Sequence, residues 1–148
     1  MMIDGTPQSG VTYELATFGS RAVALIIDQI ILFGISIIIG TLTPNTSDTV
    51  ALIIGFAINF LFHYYFWTQR DGQTPGKLYL DIKIIKSDGS PINSTDTLVR
   101  VIGYMFGGLS LGIGYLWALF DPNSQAWHDK MARTYVVKAN KRKREVTL

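Results

Sequence analysis

The chain has no cysteine among its 148 residues. Disulfides, thiolate nucleophiles and Cys-based metal sites are therefore excluded. Charge is scarce, at 16% of residues with a net +2, while hydrophobic residues make up 48%. The first twenty residues carry acids and no early basic residue. They lack the charged start of a cleavable signal peptide, so the N-terminal segment, residues 1–20, is expected to be retained. There are no internal repeats. There is no convincing nucleophile–base pair and no metal-ligand motif, so an enzymatic role ranks last and no metal or cofactor is expected.

Long apolar runs are what the chain has instead. Residues 22–40 read AVALIIDQIILFGISIIIG, long enough to cross a bilayer as a helix. Asp28 interrupts this run, with Gln29 beside it and Arg21 at its mouth. An acid near the centre of a membrane helix costs roughly 2.5–3.5 kcal/mol on insertion scales. A residue that costly faces a partner or a water-filled path rather than lipid. Arg21 and Asp28 lie two turns apart, roughly 10.5 Å along a helix axis, too far for a direct ion pair. Asp28 thus needs another partner, or a raised pKa that keeps it neutral.

The first transmembrane helix is placed at residues 22–41 and the second at 49–67, joined by a polar link with Pro44 and Asn45 at its turn. The second helix ends in an aromatic cluster suited to the membrane–water interface. The link has no Lys or Arg, whereas Arg21, Arg70 and Lys77 flank the pair. The positive-inside rule then makes an antiparallel hairpin with a cytoplasmic N-terminus in the cell (inner) membrane. Asn59 and His63 share one face of the second helix. If that face meets Asp28, an acid, an amide and an imidazole converge inside the membrane. That set suits a proton or cation path. The blander reading puts His63 in the interfacial aromatic belt and makes Asp28 a structural hydrogen bond between packed helices.

Residues 70–93 are expected to form a cytoplasmic β-hairpin. Leu78, Leu80, Ile82 and Ile84 alternate with Tyr79, Asp81 and Lys83, the pattern of a half-buried strand. Asp88-Gly89 supplies the reversal and residues 91–93 a short return. The preceding Gly72-Gln-Thr-Pro-Gly-Lys77 looks like a phosphate loop but lacks its glycine spacing and metal-binding hydroxyl, and reads as a turn. Residues 97–120 form a third, glycine-dense apolar segment, spanning or re-entrant, with Arg100 near its start. Re-entry keeps Arg100 and the basic tail on one side, and it gives a strand at Thr134 onward the hairpin edge to pair with. Asp121 begins a turn. Residues 125–133 then form a short amphipathic helix with Trp127 and Met131 on one face and an Asp129–Arg133 pair. His128 and Asp129 are adjacent, and two adjacent ligands do not make a metal site. The basic tail, with residues 139–148 at its end, suits anionic lipid better than nucleic acid.

These features together resemble the RDD family of small membrane proteins, named for an arginine and two aspartates. The resemblance rests on Ser20-Arg21-Ala22 followed by Asp28, Gly72-Gln-Thr-Pro-Gly-Lys77, Arg100, and Trp127-His-Asp-Lys-Met-Ala-Arg-Thr134. It implies that Arg21 is the family's arginine, Asp28 its first aspartate and Asp129 its second, with Asp121 the rival. Trp127 and Arg133 depart from the residues commoner at those places. The family resemblance further implies possible ion handling, since some members look like cation–proton antiporters while others act as accessory parts of larger proteins.

The expectation is thus one α-helical integral membrane domain with a transmembrane hairpin, a third membrane segment and a small β element. Its candidate polar cluster is Arg21, Asp28, Asn59, His63, Arg100, Asp121 and Asp129. Cation–proton exchange at Asp28 is the first functional reading, and a non-transporting scaffold or accessory subunit is the second. Two or three membrane segments are too few for a typical alternating-access pathway. The bilayer and either a homo-oligomer or a partner membrane protein are therefore the expected partners.

Overall fold

A computed structural model describes residues 2–5 and 11–139. Most of the basic tail lies outside the described residues. Strands β1 (Met2–Gly5) and β2 (Val11–Glu14) form an antiparallel pair. Helix α1 (Phe18–Leu42) starts where the Thr17 hydroxyl accepts the Ser20 N–H, and α2 (Asp48–Gln69) starts on the Ser47 hydroxyl in the same way. Both helices are long and apolar enough to cross a membrane. Their most apolar stretches are only 17% and 6% buried within the chain, so the hairpin presents nearly all of its surface outward. Ile30, Phe33, Ile38, Leu52, Ile53 and Leu61 are among the exposed side chains.

The region after α2 differs from the sequence expectation. No β-hairpin spans residues 70–93. Leu78 and Tyr79 belong instead to a short helix, α3 (Pro75–Tyr79), capped by the Thr74 side chain with Pro75 at its first turn. Leu78 and Tyr79 are both exposed. The strand begins later, as β3 (Ile82–Lys86), and pairs antiparallel with β4 (Thr134–Lys138) rather than with a return at residues 91–93. The alternation fails as well: residues 82–85 are all buried. Ile82 and Ile84 pack against Trp67, Val101 and Val136, while Ile85 packs with Leu15 and Val137 on the other face. Lys83 is buried because its ammonium meets Asp71 at 2.7 Å. A strand covered on both faces reads as a continuous apolar run, and an alternation count misplaces its ends.

The third apolar segment is broken. Helix α4 (Ser94–Leu109) carries a reciprocal cap between Asn93 and Asp96. It stops at Ser110–Leu111, and the chain turns through Gly112 at φ +80, a conformation that favours glycine. Helix α5 (Ile113–Leu116) and a 3₁₀ turn (Trp117–Leu119) then leave at 113° to α4. Helix α6 (Trp127–Ala132) leads into β4. Because β3 precedes α4 and β4 follows α6, their pairing returns both ends of this segment to one sheet.

Candidate functional site

Buried polar side chains collect where α1, α3, α4 and α6 meet. Asp129 lies at the centre, fully buried. Its Oδ2 accepts from Arg21 Nη2 and, at 3.0 Å, from the Ala126 N–H. Its Oδ1 accepts from Arg100 Nη1 at 2.6 Å. Each guanidinium reaches further. Arg21 Nη1 donates to the Ser124 carbonyl, and Arg100 Nη1 also donates to the Thr134 hydroxyl. Among the described residues Arg100 Nε and Nη2 find no hydrogen-bond acceptor. Its guanidinium lies 4.8 Å from the Trp67 ring centroid and 5.9 Å from that of Tyr104, which supplies cation–π attraction instead.

The sequence reading placed Arg21, Arg100 and Asp129 in one candidate polar cluster of seven residues; the structure joins both arginines to Asp129 by direct ion pairs. The expected Asp129–Arg133 pair does not form. Arg133 is exposed and ends α6 at φ 52, while the Asp129 carboxylate turns inward to the two buried arginines. Asp121 does not join Arg21. It pairs with Lys130 and accepts the Asn123 and Gln125 N–H groups, shaping the turn whose Ser124 carbonyl faces Arg21. Burial alone would raise the Asp121 carboxyl, but the bonds from Lys130 and the turn amides bring it below the usual range. Burial would likewise raise Asp129, yet the charges of Arg21 and Arg100 hold it well below the usual range.

Asp28 sits beside this centre with its own partners. It is 1% exposed. One carboxylate oxygen accepts from the Thr74 hydroxyl, and the other accepts from the Gly76 N–H at 2.9 Å. Asp28 thus caps α3 from another helix. Contact is close: a Cβ on Gly76 would lie 2.1 Å from the Ala24 carbonyl oxygen. Lys77 is buried in the same place. Burial, against the pull of Asp28, brings its ammonium down to about 8, with Arg100 and Arg21 adding to the fall.

Asn59 and His63 do not converge with Asp28. His63 Nδ1 lies 2.8 Å from the Asn59 backbone carbonyl, and the ring packs among Phe62, Trp67 and Tyr104. Both residues line a cavity of about 270 Å³ with Gln29, Tyr104, Tyr115 and His128. His128 was set aside in the sequence because it had one neighbour of ligand type. It is buried between this cavity and Asp129, with its ring 4.0 Å from Tyr104 centroid to centroid. Burial keeps its pKa well below the ordinary value, so the imidazole is neutral.

The RDD family profile matches residues 15–133. The chain belongs to the RDD family. The match opens just before the cap of α1 and closes at the end of α6, so it holds every member of the Arg21–Asp28–Arg100–Asp129 set. No curated protein and no solved structure matches the chain. Within this RDD domain, sequence reasoning missed Thr74, Gly76, Lys77, His128 and Thr134 as members of the site. Thr74 followed by Pro75 was the available signal, since a capping hydroxyl before a proline marks a helix start.

Proposed function

We propose that this RDD protein is a non-transporting membrane scaffold or accessory subunit, in which the buried polar groups lock the membrane hairpin to the strand platform. The observation that carries this reading is the burial and engagement of Asp28. Its two oxygens are occupied by Thr74 and Gly76, on an element packed too closely against α1 to admit a side chain at position 76. An acid that exchanges protons for cations needs access, and Asp28 is shut off from solvent. Among the described residues the buried centre also holds three cations, Arg21, Lys77 and Arg100, against two carboxylates, Asp28 and Asp129. That balance opposes a further cation. The outward apolar surface of α1 and α2 supports contact with lipid and with other membrane helices, from a second copy or a partner protein. The Lys and Arg residues flanking the hairpin, absent from its link, support a cytoplasmic platform in the inner membrane, with the basic tail against anionic lipid.

Cation–proton exchange at Asp28 is the competing outcome, and one pair of measurements separates them. Proteoliposomes holding the wild-type chain are given a sodium or potassium gradient while internal pH is followed. In parallel, Asp28→Asn and Asp28→Ala are melted in detergent. The scaffold reading expects no cation-driven proton movement and a lower melting temperature for both variants. Proton exchange by wild type, lost in an Asp28→Asn variant that still folds, overturns it.

A further inference from the structure

The cavity beside the charged centre has no role in the scaffold. Its walls come from α1 (Leu25, Gln29), α2 (Asn59, His63), the end of α4 (Tyr104, Gly107, Gly108), Tyr115 and His128. Gln29 and Asn59 stand at one level of the hairpin, each roughly 16–20 Å along its helix from the 42–48 link. That depth lies within the hydrocarbon thickness. The same helices carry exposed apolar side chains next in sequence to lining residues, Ile26 and Ile30 on α1 and Met105 and Phe106 on α4. The route in therefore runs through lipid.

The lining sets the chemistry of an occupant. It contains no carboxylate and no Lys or Arg, so it recognises an uncharged molecule. Its back wall is aromatic. The Tyr104, His128 and Tyr115 rings lie nearly parallel, at 24° to 30° with centroids 4.0 to 6.3 Å apart, and suit a flat ring. The decisive group is His63. Its Nδ1 faces a backbone carbonyl, which only accepts, so Nδ1 carries the proton. In the neutral ring Nε2 is then a bare acceptor. His63 is 3% exposed, and its Nε2 has no hydrogen-bond partner among the described residues. A ligand hydroxyl can donate to that nitrogen, and the amides of Asn59 and Gln29, which line the same cavity, can bind acceptors elsewhere on the same ligand.

We infer that this cavity binds an uncharged hydroxylated aromatic ring, of the phenol or quinol class, that enters from the lipid phase and donates its hydroxyl to His63.

The probe is 1-naphthol, with 1-methoxynaphthalene as a partner of similar shape that cannot donate. Binding to the full chain in lipid nanodiscs is followed by the change in tryptophan emission, because the Trp67 ring lies 4.6 Å from that of His63. Empty nanodiscs correct for partition into lipid. The expected result is saturable one-to-one binding of 1-naphthol, at least tenfold tighter than its methyl ether. His63→Phe keeps a ring but removes Nε2, and should bring the two affinities together. Gly108 lines the cavity, and a Cβ there meets nothing within 4 Å. Gly108→Leu should therefore fill the space, leave the fold intact and abolish binding of both probes. The inference is overturned if 1-naphthol shows no saturable binding, if its methyl ether binds equally well, or if a folded Gly108→Leu variant binds as wild type does.

Discussion

At the scale of single residues, the protein depends on charges that are costly to bury and more costly to leave alone. Asp129 accepts from two guanidiniums and a backbone N–H, all away from solvent. Replacing a whole buried ion cluster by apolar groups can be neutral, but removing one partner typically costs about 3–5 kcal/mol. Asp129→Asn should cost that much in detergent unfolding, and Asp121→Asn should cost less, because Asp121 pairs with a half-exposed Lys130. Arg21→Lys should not rescue Arg21→Ala, since one ammonium cannot span both Asp129 and the Ser124 carbonyl. Lys77 gives a pH signature of opposite sign to an ordinary salt bridge. Its folded value, about 8, lies below the ordinary 10.5, so between the two the unfolded chain binds more protons. Stability should therefore rise as pH increases from about 8 toward 10.5, by linkage. Thermal unfolding across that window checks it. A Lys77→Met variant should lose the slope, and an unchanged slope would show that the ammonium is not the titrating group.

At the scale of elements, the apolar periodicity located what faces lipid but misjudged what faces protein. Helices α1 and α2 were legible because their length and composition answer to the bilayer alone. The break in the third segment was legible as glycine density, and it falls at Leu111–Gly112, both at positive φ. The strand at residues 78–84 was misread because Leu78 and Leu80 fit an alternation by chance, while Thr74-Pro75 had already started a helix. The return strand was misassigned because pairing β3 with β4 is a long-range choice, set by the packing of Ile82, Ile84 and Val136 against Trp67. The site was half legible for the same reason. Arg21, Asp28, Arg100 and Asp129 announce themselves as charges in or beside apolar segments. Thr74, Gly76 and Thr134 have no such contrast with their neighbours. Glycines in α4 then divide by what they touch. A Cβ at Gly103 would lie 2.6 Å from the His128 Cβ and 2.8 Å from its Cα, so Gly103→Val must push α6 away. The expected loss is about 1–3 kcal/mol or more. Gly108→Ala meets open space and should melt as wild type does. Equal losses at the two positions would mean that the α4–α6 contact does not decide the outcome, since helix propensity favours alanine and valine over glycine at both.

At the scale of the whole molecule, the sheet constrains the topology more tightly than the charges do. The register pairs Lys86 with Thr134 and Ile82 with Lys138, so the chain before α4 and the chain after α6 lie side by side. The bent α4–α5 segment therefore starts and ends at the same sheet. Leu15 bridges to Val137, which draws the approach to α1 to the same sheet, and α2 ends at the Asp71–Gly72 turn beside β3. Four chain segments thus meet on one face, and the 42–48 link lies at the far end of the hairpin. The link carries no Lys or Arg, whereas the sheet side carries Lys77, Lys83, Lys86, Lys130, Arg133 and Lys138. By the positive-inside rule the sheet side is expected in the cytoplasm, the orientation proposed above. Single cysteines report directly, because the native chain has none. In intact cells an impermeant thiol reagent should label Asn45→Cys, and should label Ser87→Cys and Ala139→Cys only after the membrane is opened. Labelling of Ser87→Cys and Ala139→Cys together from outside would invert the orientation but keep the sheet. Labelling of one without the other would break the β3–β4 pairing itself, and with it the ion pairs from α1 and α4 to Asp129.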